Sequence, residues 1–273
     1  MIKPLALTSG EPAGIGPDIA IAAWLRRGEL KLPAFYLAGD LDFFGARARL
    51  LGVDVKLKDV RAEDAVAAFP HALPIVATGH KATAHPGQPD ERSAIAAIGS
   101  IRHAVSDVVA GRAAAVVTNP IAKNVLYRAG FRHPGHTEFL AELAARDGRS
   151  PQPVMLLWSP ALAVVPVTIH LALREAIEQL SSDLIVTTAR IVVADLKSRF
   201  GIARPRLAIT GLNPHAGEDG SLGIEEQTII APAVETLRGG GIDVKGPLPR
   251  TPCSTKPRAK PMTARSACIT IRR

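Results

Sequence analysis

The sequence predicts an α/β fold: a layered sheet with helices on both faces, divided into two lobes with a cleft between them. Three observations carry this. Short apolar runs of β type alternate with helical patterns from the start of the chain. A glycine-rich turn, Ser9–Pro17, joins the first such run to the first helix. The 273 residues, 47% of them hydrophobic, suffice to bury a sizeable core.

Taken in order, Pro4–Thr8 reads as a strand, Asp18–Leu25 as a helix, Ala34–Ala38 as a strand and Leu41–Leu51 as a helix. Ser93–Val109 is an amphipathic helix, Ala113–Thr118 a buried strand, Ile121–Ala129 a helix, and Thr137–Ala145 a further helix with Thr137 as its N-cap. Val154–Trp158 and Ala163–Val167 read as paired strands. Ser182–Arg199 is a long helix, Arg206–Thr210 a strand, and Glu225–Leu237 a helix stopped by Gly239-Gly240-Gly241. Beyond Pro249 the periodicity collapses into a stretch with prolines and no acid, which reads as a disordered tail spanning residues 250–273, after one two-lobed domain over 1–249.

Charge and cysteine usage sharpen this division. The net charge is +8, but Lys256, Arg258, Lys260, Arg265, Arg272 and Arg273 supply six of those charges, so the body is nearly neutral. That tail has no aromatic residue for base stacking, and no nucleic-acid partner is expected. Both cysteines, Cys253 and Cys268, also lie there, which leaves the body with neither a disulfide nor a thiolate metal site. No apolar run is long enough to span a bilayer and the first residues lack a signal-peptide core, so a cytoplasmic protein with no membrane partner is expected.

Five stretches can carry chemistry. Ser9–Pro17 is a turn whose backbone N–H groups can approach an anion, but it lacks both the dinucleotide fingerprint and the P-loop lysine, so a plain tight turn explains it equally well. Thr118-Asn119-Pro120-Ile121-Ala122-Lys123 ends a buried strand, where open α/β sheets bind ligands; Lys123 either meets a phosphate or sits on a solvated helix face. Pro134-Gly135-His136-Thr137-Glu138 sets an imidazole and a hydroxyl at a helix start, either facing an anion or serving as a capping box. Thr168-Ile169-His170-Leu171 and Gly211–Glu218 each place one histidine, His170 and His215, just past a strand. Two such imidazoles can share a divalent ion, although a lone loop histidine is more often structural.

In order, GEPAGIGPD (10–18), TNPIAK (118–123), GHTEFLAEL (135–143), TIHLALRE (168–175), GLNPHAGEDGSLGIEE (211–226) and GPLP (246–249) resemble the 4-hydroxythreonine-4-phosphate dehydrogenase family across residues 1–249. The resemblance implies an isocitrate/isopropylmalate-dehydrogenase-like two-lobed α/β/α fold and a homodimer with active sites at the subunit interface. It also implies NAD- (or NADP-) dependent oxidation of a phosphorylated amino acid, assisted by a divalent metal (Zn, Mg or Co), followed by loss of carbon dioxide, in pyridoxal phosphate synthesis. By matching motifs, His136 and Thr137 would contact substrate, and His170 and His215 would bind the metal. The catalytic base is not identified. A related dehydrogenase of phosphothreonate or phosphoerythronate shares these motifs.

The family continues after GPLP with a DTLF-like segment and later a YHDQ motif holding a third metal histidine; neither is present here. Permitted codons for Arg250–Thr255, read in a shifted phase, spell Asp-Thr-Leu-Phe-His, and those for Ala267–Arg272 spell Met-Tyr-His-Asp-Gln. A frameshift near Pro249 is therefore expected, with an inactive truncated product as one consequence.

Overall fold

Alternation within one pentapeptide shows how the first sheet is built. In the computed structural model, which describes residues 2–133, 135–249 and 268–272, Phe35 and Leu37 turn into one core and Tyr36 and Ala38 into another. A strand buried on both faces needs helices on both sides, and unit 1 supplies them. The chain divides into two compact units, residues 1–153 and 154–273.

Unit 1 runs β1 (Leu5–Thr8), α1 (Gly16–Leu25), β2 (Phe35–Gly39), α2 (Leu41–Leu50), β3 (Leu57–Asp59), α3 (Ala65–Ala68), β4 (Leu73–Ala77), α4 (Glu91–Val109), β5 (Val116–Val117), α5 (Lys123–Arg128) and α6 (His136–Leu143). All five strands are parallel, in the order β3-β4-β2-β1-β5. On one face Ile21 and Trp24 of α1 and Phe43 and Phe44 of α2 pack on Leu7, Leu37 and Ile75. On the other, Ala65 of α3 and Ala104 of α4 pack on Ala6, Tyr36 and Val76. The small residues there let α4 lie close to the sheet. Behind α4, Ile101 meets Val125, Leu126 and Phe139 of α5 and α6, which fixes those short helices to the long one.

A polar cluster is built into the α4 face. Asp107, 2% exposed, accepts a hydrogen bond from the Tyr36 hydroxyl at 2.5 Å and one from Arg112 Nε at 2.7 Å. Burial and the adjacent carboxylate push the Tyr36 hydroxyl well above its usual pKa, so it stays a donor.

Unit 2 contains β6 (Leu157–Trp158), β7 (Ala163–Pro166), α7 (Leu173–Glu178), α8 (Ser182–Ser198), β8 (Arg206–Thr210), α9 (Ala231–Gly239), β9 (Asp243–Leu248) and β10 (Cys268–Arg272). The order is β6-β7-β10-β8-β9, with β8 and β9 parallel and β10 antiparallel to both β7 and β8. The expected hairpin of the Val154–Trp158 and Ala163–Val167 runs is present as β6 and β7, paired antiparallel. Ile185 and Ala189 of α8 and Val234 and Leu237 of α9 pack on Val165, Leu207, Ile209 and Ile269.

Several expectations need correction. Residues 268–272, expected in a tail without regular structure, form β10, because Ile269 and Ile271 alternate into the core at 0% and 8% exposure while the backbone bridges β7 and β8. The rest of that stretch, 250–267 and 273, lies outside the described residues. The expected helix Glu225–Leu237 is a π-helical turn, Glu226–Ile230, followed by α9. α6 starts at His136 with extended Gly135 as its N-cap, so Thr137 is not the cap and no capping box forms. Among the described residues no helix is long and apolar enough to cross a membrane.

Candidate functional site

In unit 1 the strand order reverses between β1 and β5, the place where the segments leaving two neighbouring strands diverge and ligands of doubly wound sheets commonly bind. The chain closes this point with its own atoms. Asn119 donates its backbone N–H to Thr8 Oγ1 at 3.0 Å and its side-chain Nδ2 to Thr8 O at 2.8 Å. Glu11 N donates to Pro120 O at 2.8 Å, Ala13 N to Glu11 Oε1 at 3.0 Å and Gly14 N to Glu11 O at 2.9 Å. Gly10, at φ 66°, lies so near Asn119 that a Cβ would fall 2.6 Å from both Asn119 Cβ and Pro120 O. Those N–H groups are spent within the chain, so the Ser9–Pro17 stretch is a tight turn clamped to the 118–120 segment. The helix expected over Ile121–Ala129 is α5, which begins at Lys123.

That clamp sets up the next step of the chain. Lys123 opens α5 and is exposed, and its Nζ lies 3.8 Å from where a Gly135 Cβ would stand, beside the N-terminus of α6. No carboxylate pairs with it among the described residues. His136, the first residue of α6, has a buried Nε2 with no hydrogen-bond partner among them. Burial, and then the Lys123 charge, hold the His136 imidazole below its ordinary value of 6.5. An ammonium, an imidazole, the Thr137 hydroxyl and the positive end of an eight-residue helix thus gather at one point, and the Glu138 carboxylate of the same first turn stands there with them, its Oε2 3.6 Å from where a Gly135 Cβ would lie. Pro134 of this motif lies outside the described residues. His133 behaves otherwise: its ring packs between Phe131 and Phe139 at centroid distances of 5.1 and 4.9 Å, and its Nε2 is 3.4 Å from Glu142 Oε2.

A depressed histidine pKa gives a definite sign. The folded state disfavours His136 protonation, so this residue's contribution to stability is complete above pH 6.5 and is lost as pH falls toward its folded value. Lys123→Ala is expected to raise the His136 pKa toward 6.5 in an imidazole NMR titration; an unchanged titration would show that Lys123 does not act on it.

In unit 2, His170 follows β7 and His215 follows β8, two strands that flank β10, so both histidines leave the same end of one sheet. The two strands are separated by two strand spacings, about 10 Å. Both residues are exposed and both occupy the left-handed region, at φ 57° and 53°. Neither imidazole makes a hydrogen bond or ion pair among the described residues. Two unengaged imidazoles suit a borderline divalent ion, but a structural or catalytic site needs at least a third ligand. Among the described residues no group of three or more His, Cys, Asp or Glu is arranged to hold an ion. The 211–226 motif contains Glu225 and Glu226 without indicating their role: their carboxylates accept hydrogen bonds from Asn213, two residues before His215. Only the folded chain reveals this, since they approach from 12 and 13 residues away.

A family model described as that of the pyridoxal phosphate biosynthetic protein PdxA matches residues 31–262. A 4-hydroxythreonine-4-phosphate dehydrogenase of Bradyrhizobium diazoefficiens is 71% identical over 255 residues, which cover 90% of this chain and 74% of the relative. Crystal structures of 4-hydroxythreonine-4-phosphate dehydrogenases from Burkholderia phymatum and Klebsiella pneumoniae are similar to it at TM-scores of 0.80 and 0.79, with 30% and 33% identity. Each covers 92% of this chain and is itself covered to 75%.

Proposed function

The chain belongs to the PdxA family of pyridoxal phosphate biosynthetic proteins, the 4-hydroxythreonine-4-phosphate dehydrogenases, and on that basis we propose the following assignment of cofactors and residues. The substrate is 4-phosphohydroxy-L-threonine, whose secondary alcohol is oxidised with NAD (or NADP) as hydride acceptor. The resulting β-keto acid loses carbon dioxide to give 3-amino-2-oxopropyl phosphate.

The gathering of the Lys123 ammonium, the buried His136 Nε2 without a partner among the described residues and the α6 N-terminus carries the proposal. Lys123 and the first N–H groups of α6 hold the phosphate, and Thr137 donates its hydroxyl to it. His136 orients the group through Nε2 and takes up a proton as the dianion arrives, because a nearby anion favours the charged imidazole. Sulfate, whose charge is constant over the range, should therefore bind about tenfold more tightly at pH 5.5 than at pH 8. It should bind at least about tenfold more weakly to Lys123→Ala. Isothermal titration across pH reads both, and an affinity flat in pH would remove His136 from the assignment.

His170 and His215 supply two ligands for a divalent metal (Zn, Mg or Co). When bound, such an ion supplies Lewis acidity, lowering the pKa of the substrate hydroxyl and polarising the ketone that drives decarboxylation. Residues 250–273 are the family's own segment translated out of phase, which removes the third histidine. With two imidazoles the ion is held weakly, so the chain with this segment is expected to show little turnover. The assembly is a homodimer with interface active sites, and the location is the cytoplasm.

The test is NADH formation from 4-phosphohydroxythreonine by a version with the family segment restored, beside the 273-residue chain. Phosphothreonate and phosphoerythronate are run as competing substrates. Robust turnover by the 273-residue chain would refute the ligand argument, and preference for a sugar acid would reassign the substrate. The nucleotide sequence around Pro249 tests the phase directly.

A further inference from the structure

The turn that carries His215 is held from behind by a buried carboxylate. Glu226, 3% exposed, accepts the Asn213 backbone N–H on Oε1 at 2.7 Å and the Asn213 Nδ2 on Oε2 at 2.9 Å. Glu225 Oε2 accepts from the same Nδ2 at 2.6 Å. Both Glu226 oxygens also press into the turn: a Cβ added at Gly211 would fall 2.8 Å from Oε1, and one at Gly217 would fall 2.7 Å from Oε2. Glycine at both positions admits the carboxylate between the two ends of the turn.

What it holds is an unfavourable conformation. His215, Ala216, Gly217, Glu218 and Asp219 have φ values of 53°, 56°, 79°, 43° and 56°, a left-handed run of five residues of which four bear a Cβ. L-residues resist this region, and such a run persists only where the surroundings over-determine it. Glu226 is also the first residue of the π-helical turn, an irregularity that recurs at functional positions.

We propose that Glu226 is the positioning residue for His215. By fixing both the backbone and the side chain of Asn213, it sets the one conformation from which the left-handed run can start, and so aims the imidazole two residues later. Both of its oxygens are engaged by Asn213, so it acts through that residue rather than on an ion. The inference rests on His215 being a metal ligand, and the test separates the two.

Co2+ affinity of the 273-residue chain is measured by calorimetry and visible absorption for the unaltered protein, His215→Ala, Glu226→Gln, Glu226→Asp and Asn213→Ala. Amide hydrogen exchange over residues 211–220 is followed in metal-free protein. Glutamine at 226 keeps one acceptor but turns an N–H2 toward Asn213 Nδ2. Glu226→Gln and Asn213→Ala should each weaken Co2+ binding about 10- to 100-fold and speed exchange in the turn. Glu226→Asp, which keeps both acceptors, should recover part of the affinity. If His215→Ala loses Co2+ while Glu226→Gln and Asn213→Ala bind as the unaltered protein does, the positioning role is overturned. If Co2+ binding is absent or indifferent to His215→Ala, the ligand reading fails. Exchange alone then decides: faster exchange in Glu226→Gln and Asn213→Ala sustains the control of the turn, and unchanged exchange overturns it. Asn213 lies in the half-buried loop, so its variant keeps the test open should Glu226→Gln fail to fold.

Discussion

His215→Ala, in a chain with the family segment restored, is expected to lower NADH formation by about three orders of magnitude. The Lewis acidity assigned to the metal is worth several kcal/mol in the transition state, and each 1.4 kcal/mol is a factor of ten in rate. Loss of one of three protein ligands removes most of that contribution, because the ion then binds weakly and without fixed orientation. His170→Ala should act in the same way. The His215 side chain is exposed and makes no hydrogen bond or ion pair among the described residues, so the thermal midpoint of its variant should not move. Turnover within a few-fold of the parent would end the metal assignment.

Asp107→Ala carries the largest expected cost in stability. The change leaves the hydroxyl of Tyr36, at 0% exposure, without an acceptor and strips Arg112 of its partner. Removing one member of a buried ionic and hydrogen-bonded group costs about 3–5 kcal/mol. The Arg112 side chain is 38% exposed and recovers water, which places the cost at about 3 kcal/mol. In a chain of this size that lowers the midpoint of unit 1 unfolding by roughly 6–12 °C. Tyr36→Phe, which deletes the donor rather than the acceptor, should cost about 1 kcal/mol. A midpoint for Asp107→Ala within one or two degrees of the parent would mean that the cluster is not structural.

Unit 1 was readable where burial leaves a period in the sequence. The run ending at Thr8 alternates large and small apolar residues, Leu5-Ala6-Leu7, and the run ending at Gly39 is apolar or aromatic throughout, because two different helical layers lie against them. β3 left no such trace: Leu57 is half-buried and Lys58 and Asp59 are exposed at the sheet edge. β4 lies inside the sheet yet contains Pro74, which lacks a ladder donor and by ordinary rules argues against an interior strand. β10 was obscured by the basic, proline-containing stretch around it, although Ile269 and Ile271 alone give it an inward face. At the candidate site, Lys123, His136, His170 and His215 stand in compact local motifs and were legible. Glu226 was not, because its role depends on a contact with Asn213 that exists only once the chain after β8 has doubled back.

The placement of β10 has a consequence for the order of events during synthesis. Unit 1 draws every strand of its sheet from the first 117 residues and can assemble while the remainder is still being made. In unit 2 the strand that joins β7 to β8 follows all the others in the chain. Until it arrives, β7 and β8 face each other across an empty lane with open backbone edges, the condition in which strands recruit foreign partners. Ribosome-bound chains should therefore pass from one protected half to two in a single late step, and unit 2 should be the half that chaperones hold longest.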